Sequence, residues 1–351
     1  MTFPPVCRLA PSPTGAQHLG NARTFLIAYW SARSQNAKLI LRIEDIDSPR
    51  VKPWAMQQAI DDLAWLGIEH DGDPIVQTQR VGHYEAVLQQ MLKDDRVYPC
   101  VCSRKDIDEA ASAPHEHSMS SMDVPHDSHQ NIVEDSQSNQ PDMFVQAETT
   151  IYPGTCANWR AGDAMPPLGS YCLRFRTDPR PMILHDQIVG RVQCDPGIVL
   201  GDFPVTRKTG VAAYQLAVVV DDIDAGVTEV VRGDDLVASA FRQRQIYDYL
   251  GETPPAYAHV PLVVGDDGRR LAKRHGDTRL SQYRDQGVAP ESIVAWAAST
   301  TFGHRDDFPQ SQVTRDWSLA RWHHEMIHQF EWSAVSRQRT IVPHPSVNWF
   351  Q

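Results

Sequence analysis

Several short stretches hold residue types whose spacing fits the handling of phosphate and carboxylate charge. The first is Arg8-Leu-Ala-Pro-Ser-Pro-Thr-Gly15-Ala-Gln-His18-Leu-Gly20-Asn21. Small residues let backbone amides approach an anion, and a following helix would point the positive end of its dipole at it. His18 adds a side-chain donor, and Gly20 leaves room for a flat ring against the backbone. An ordinary Pro-rich connection would look much the same in isolation.

A second stretch is Gly268-Arg-Arg-Leu-Ala-Lys273-Arg-His-Gly276-Asp. A lysine on a glycine-bounded loop can reach a polyphosphate and neutralise charge that develops during transfer. A basic surface loop is the commoner explanation of such a run. Acidic Glu44, Asp45 and Asp47 end the apolar run Lys38 to Ile43, while Tyr214 to Asp222 and Val231-Arg232-Gly-Asp-Asp235 each combine an apolar run with polar groups. Each of these alone could be a strand cap.

Cys100-Val-Cys102 is followed, across a polar segment, by Tyr152-Pro-Gly-Thr-Cys156. Two close pairs separated by a loop are a common way for a chain to supply the four tetrahedral ligands of zinc. The alternative is a set of ordinary buried cysteines, the reading given to Cys7, Cys172 and Cys194.

These groups need elements to hold them. Phe3 to Ala10 reads as a strand, Asn21 to Ser34 as an amphipathic helix, and Lys38 to Ile43 as a second, parallel strand. In open α/β sheets, ligands sit outside the carboxyl ends of such strands. Trp54 to Leu66, His83 to Lys93 and Ala238 to Leu250 repeat apolar positions at helical spacing. Tyr214 to Asp222 reads as a strand, Val227 to Asp235 as another strand and loop, and Trp317 to Trp332 as one more helix before a tail. Residues 106 to 148 are rich in Ser, Asp, His and Gln, the composition of a disordered insertion. Its histidines 115, 117, 126 and 129 read as incidental rather than as metal ligands.

With 351 residues and 41% hydrophobic content, the chain can bury a large core in two or three domains. No run of about 18 apolar residues is present, so no membrane span is expected. Nor is there a basic-then-apolar leader, which makes a cytoplasmic location the default. Six cysteines are too few for a disulfide scaffold at this length. A formal net charge of -11 argues against indiscriminate nucleic-acid binding and leaves room only for a locally basic tRNA contact.

Taken in order, the turn at 11 to 21, the acidic strand end at Glu44, the Tyr214 stretch, the Val-Arg-Gly-Asp-Asp run and the Lys273 loop resemble the catalytic core of class I glutamyl-tRNA synthetases. His18-Leu-Gly20-Asn21 is similar to their HIGH signature, and Arg270-Leu-Ala-Lys273-Arg274 to their KMSKS loop, with Ala272 in place of serine and Arg270 in place of lysine. The likeness runs from about residue 6 to 297, outside the polar insertion.

The resemblance implies an α/β fold built on a Rossmann-type parallel sheet. The expected divisions are 1–97 and 191–250 for the two halves of the nucleotide-binding domain, and 98–190 for an inserted zinc-binding, acceptor-type subdomain. A KMSKS-loop and helical region at 251–303 and an extension at 304–351 complete it. Too little chain follows the Lys273 loop for a helical anticodon-binding region. That, with the Cys-x-Cys and Tyr-x-x-x-Cys pairs, favours the truncated paralogues that attach glutamate to the queuosine base of tRNA(Asp). Alternatives are a conventional glutamyl-tRNA synthetase without its anticodon domain and a non-catalytic RNA-binding paralogue.

By resemblance, L-glutamate would meet Arg8, Ala10, Ser12, Glu44, Tyr214 and Arg232. ATP would meet His18, Gly20, Asn21 and Lys273, with His18 and Lys273 catalytic and Mg2+ accompanying the nucleotide. Zinc would be structural, on Cys100, Cys102, Tyr152 and Cys156. No feature specifies an oligomer, and a monomer is expected.

Overall fold

The computed structural model describes residues 4–46, 51–112, 143–145, 150–269, 271, 278–303 and 316–342. Strand β1 (Val6–Leu9) passes through the Pro-rich turn into α1 (Leu19–Ser34), and β2 (Lys38–Ile43) returns parallel to β1 with Cys7 opposite Leu39. Helix α2 (Pro53–Trp65) leads to β3 (Ile75–Val76), which pairs parallel with β2. Helix α3 (Val81–Lys93), β4 (Val97–Cys100) and α4 (Arg104–Ser112) follow. Helix α4 carries regular structure into the start of the polar segment, whose histidines 115, 117, 126 and 129 lie outside the described residues.

Beyond that segment come β5 (Met143–Phe144), β6 (Cys172–Phe175), β7 (Met182–Asp186), β8 (Gly190–Cys194), the short α5 (Pro196–Val199) and β9 (Phe203–Pro204). Next are α6 (Tyr214–Asp224), β10 (Glu229–Gly233), α7 (Val237–Leu250), β11 (Ala256–Val260) and β12 (Val263–Val264). The last elements are α8 (Leu280–Asp285), α9 (Pro290–Phe302), α10 (Leu319–His328) and β13 (Thr340–Ile341). The stretch read as a tail thus adds a strand, which pairs parallel with β12.

The main sheet runs β3-β2-β1-β10-β11-β7-β8-β5, and a small antiparallel sheet runs β4-β6-β9. Strand order reverses between β1 and β10. In an open parallel sheet such a reversal opens a crevice at the strand ends.

Side chains alternate between the two faces. Leu39, Leu41, Ile43, Val231 and Ala258 pack with α1, α9 and α10, while Ile40, Val230 and Tyr257 pack with α7. Gly67 shows how closely α10 docks. It ends α2 at φ 71°, and an added Cβ would lie 2.8 Å from Leu319 and 2.9 Å from His323. The N–H groups of Gly67 and Ile68 bond back to Ala64 and Leu63, the closure that favours a left-handed glycine.

One element departs from its sequence reading. Tyr214 to Asp222 is helix α6, not a strand. A short run of buried β-branched residues cannot be told from a strand by periodicity alone. Here Val218, Val219 and Val220 are all buried because the helix is covered by α3 and α7 together. No helix among the described residues is long and apolar enough to cross a membrane.

Candidate active site and metal cluster

The crevice between β1 and β10 is a cleft of about 500 Å³. Arg8, Ala10, Ser12, His18, Gly20, Asn21, Glu44, Tyr214 and Arg232 all line it, although they come from six separate elements and turns. Lys273 and Asp47 lie outside the described residues.

The turn is organised by helix capping. The ring of His18 precedes α1, and its Nδ1 accepts from the Gly20 N–H at 3.1 Å. Asn21 Oδ1 in turn accepts from the His18 N–H at 3.1 Å, closing a reciprocal box. With Nδ1 as acceptor, a neutral His18 carries its proton on Nε2. Gly20 permits this contact, since an added Cβ would lie 3.0 Å from the His18 ring.

The charged lining is held from beneath. Arg8, Glu44 and Arg232 are 5%, 8% and 5% exposed, so each has little water to satisfy it. Ser12 Oγ donates to Glu44 Oε2 at 3.3 Å, and Arg42 donates to Glu44 Oε1 at 3.1 Å. Arg42, fully buried in β2, also bonds Asp222 at the end of α6, and Asp222 lies 3.6 Å from Arg8 Nε. Burial would lower the pKa of Arg42, but Asp222, Glu44 and Asp221 outweigh it and push it up. Arg8 stays lowered, because burial there is only partly offset by Asp222. Asp221 extends the network to Arg80 at 2.6 Å, Gln77 at 2.8 Å and the Tyr84 hydroxyl at 2.9 Å.

Sequence reasoning did not single out Arg42, nor did it assign Asp222 a role. The available signal was a charged residue inside the apolar run Lys38 to Ile43, which a strand buried on both faces tolerates only with a partner. Phe25 and Leu262, which also line the cleft, carried no signal in the sequence, whereas Asp235, on the same lining, closes the Val-Arg-Gly-Asp-Asp run.

At the other end of the chain's middle, three thiols converge. The Sγ atoms of Cys100, Cys102 and Cys156 lie within 4.8 Å of one another, with Cys102 and Cys156 3.7 Å apart. A tetrahedron with zinc–sulfur bonds of about 2.3 Å has an edge of about 3.8 Å. The Tyr152 hydroxyl lies 3.5 Å from Cys100 Sγ and accepts from the Cys156 N–H at 2.7 Å. Its oxygen therefore stands beside the thiols, and the set fits a four-ligand metal. Arg174 lies 3.9 Å over the Tyr152 ring. Cys172, read as an ordinary buried cysteine, is only half-buried and faces Cys100 across the β4–β6 pair, where it bonds the Cys100 sulfur. That contact, together with Tyr152 and Arg174, outweighs burial and draws the Cys100 thiol well down.

A reversal-point cleft with a capped histidine turn on a parallel sheet is the architecture of class I synthetases. The chain matches the family model "tRNA synthetases class I (E and Q), catalytic domain" over residues 6–146 and 162–337, and it belongs to that family. Among its relatives, a glutamyl-Q tRNA(Asp) synthetase of Rhodopirellula baltica is 57% identical over 96% of both chains. Another enzyme of that name, from Symbiobacterium thermophilum, is 40% identical over 83% of this chain and 84% of its own. A solved glutamate tRNA ligase from Elizabethkingia meningosepticum, in complex with its amino acid, covers 99% of this chain and 69% of its own. Its TM-score is 0.73 at 23% identity, which speaks for the fold. The resemblance read from the five ordered motifs thus holds.

Proposed function

We propose that the protein is a ligase that activates L-glutamate with ATP and transfers it to the queuosine base in the anticodon of tRNA(Asp). The observation carrying this reading is the cleft's charge set: two buried arginines and one buried carboxylate, on the lining shared with the His18 turn. Free glutamate carries two carboxylates and one ammonium, the complement of that set. The names of the similar proteins from Rhodopirellula and Symbiobacterium support the choice of acceptor.

In the first step, a glutamate α-carboxylate oxygen attacks the α-phosphorus of ATP and pyrophosphate leaves. Arg8 and Arg232 hold the carboxylates with forked hydrogen bonds, Glu44 takes the ammonium, and Tyr214 closes the pocket. Ala10 and Ser12 contribute backbone and hydroxyl contacts. Holding the nucleophile in line with the phosphate accounts for much of the rate of such a step. His18, through its Nε2–H, and Lys273 bear the phosphate charge at the positive end of α1, Gly20 and Asn21 shape the turn against the nucleotide, and Mg2+ would accompany it. A hydroxyl of the queuosine cyclopentene diol then attacks the adenylate carbonyl and AMP leaves. Cys100, Cys102, Tyr152 and Cys156 would hold a zinc ion, whose part would be structural, joining β4 to the 152–156 loop. The reading makes the protein a cytoplasmic enzyme.

Labelled glutamate, ATP and tRNA(Asp) with or without queuosine test it. Label is expected only on the queuosine-containing tRNA. Equal label on both, or label confined to tRNA(Glu), would reject the reading, the latter in favour of conventional charging.

A further inference from the structure

Arg232 is oriented from behind by a buried pair of side chains. Its partner across the parallel β10–β11 pair is His259, directly opposite in register. A guanidinium has five N–H donors and no acceptor. Here Nε donates to His259 Nε2 at 3.0 Å, one terminal nitrogen to Gln243 Oε1 at 2.8 Å, and the other to the Leu236 carbonyl at 3.3 Å. Those three bonds fix the plane of the guanidinium. Two N–H donors are left on the terminal nitrogens of a residue that lines the cleft.

The bond to His259 constrains the histidine as well. Because Arg232 Nε can only donate, His259 Nε2 must be bare, so the proton of the neutral ring sits on Nδ1. Asp186 Oδ2 waits there at 2.6 Å. Asp186 is itself anchored by the N–H groups of Ile188 and Val189, both at 2.9 Å, and by that of His259. The side chains of His259 and Asp186 are both 0% exposed. Tyr257, two residues before His259, stacks on its ring at 5.6 Å and lies under the Arg232 guanidinium at 5.0 Å. The charged and titratable groups facing His259 are thus Asp186 from β7, Arg232 from β10 and Tyr257 from its own strand.

We infer that His259 and Asp186 are positioning residues: the Nδ1-protonated, neutral tautomer of His259 locks the Arg232 fork toward a substrate carboxylate. This rests on the reading that the cleft takes glutamate. A protonated His259 would turn its Nε2 from acceptor to donor against Arg232 and add a like charge beside it. Burial, together with the neighbouring Arg232 charge, outweighs Asp186 and the Leu236 backbone contact, lowers the histidine pKa and favours the acceptor form.

Glutamate-dependent ATP–pyrophosphate exchange is the assay. His259→Leu is expected to raise the glutamate KM about tenfold or more, with the ATP KM nearly unchanged. His259→Gln, whose amide oxygen can occupy the Nε2 position, should recover most of the loss. In the wild-type protein, long-range proton–nitrogen spectra should show His259 with Nδ1 protonated and Nε2 bare between about pH 6 and 9. An unchanged glutamate KM in His259→Leu, or a proton on Nε2, would overturn the inference. No glutamate-dependent exchange by the wild-type protein would instead overturn the reading of the cleft, while the spectrum decides the Asp186–His259 pair independently.

Discussion

Asp222, at the end of α6, sits between two arginines of neighbouring strands: it bonds Arg42 of β2 and approaches Arg8 of β1 at 3.6 Å. Charges alternate from Glu44 through Arg42 and Asp222 to Arg8, all nearly closed to water. Such a row holds its geometry because no member can move without leaving a buried charge uncompensated.

Asp222→Asn should therefore act at two levels. Removing one partner of a buried pair costs on the order of 3–5 kcal/mol, to be read from urea unfolding. The surviving protein should show a raised glutamate KM, since both Arg8 and, through Arg42, Glu44 lose their support. A stability loss with an unchanged glutamate KM would restrict Asp222 to a role in folding.

Gly20→Ala separates activity from stability. Gly20 is the second residue of α1, so alanine there gains only part of the ~1 kcal/mol that separates it from glycine in a helix interior. The new Cβ, however, would lie 3.0 Å from the His18 ring and 3.4 Å from Val263, so the ring must shift. The expected result is a melting temperature equal to or above the wild type, with adenylate formation reduced about tenfold. Unaltered exchange kinetics would show that the position of His18 does not matter to the reaction.

Much of the site was legible because its parts are local. The turn at 8–21 and the strand end at Glu44 announce themselves through residue types within a few positions of each other. The same holds for the Cys100 to Cys102 pair. What joins them is not local: Arg42 to Asp222, Arg232 to His259 and His259 to Asp186 link positions far apart in the chain. No pattern of spacing foretells which buried charge meets which. The reading of α6 as a strand failed for a related reason, since burial on several sides erased the helical period of its apolar residues. Asp186 lies beyond the polar segment, where composition gave no hint that β7 would join β11 in the main sheet.

The thiol cluster makes a prediction about the fourth ligand. Cys102→Ser and Cys156→Ser should abolish the binding of one zinc per chain, measured by metal analysis after dialysis. Cys172→Ser should retain it. Cys172 touches Cys100 but is not among the thiols that converge within 4.8 Å, whereas the Tyr152 oxygen contacts both Cys100 and the Cys156 amide. Tyr152→Phe keeps the three thiols and should release zinc faster to a chelator. Loss of zinc in Cys172→Ser together with full retention in Tyr152→Phe would exchange the two roles.

Asp62 supplies a pH dependence of opposite sign to that of most carboxylates. It is 1% exposed on α2, and among the described residues neither carboxylate oxygen has a hydrogen-bond partner. Arg284 on α8 stands 3.3 Å away as a counter-charge. Burial outweighs Arg284 and pushes the carboxyl up to about 6, from 3.8. The folded protein thus holds this proton more tightly than the unfolded chain, so Asp62 lowers stability as pH rises from about 4 to 6, and the full cost persists above. Asp62→Asn removes that cost. Scanning calorimetry should find the variant more stable by up to about 3 kcal/mol at pH 8, with the difference vanishing near pH 4. A gain that is the same at both pH values would mean that packing, not ionisation, sets the effect; a loss at pH 8 would mean that the Arg284 pair stabilises more than burial costs.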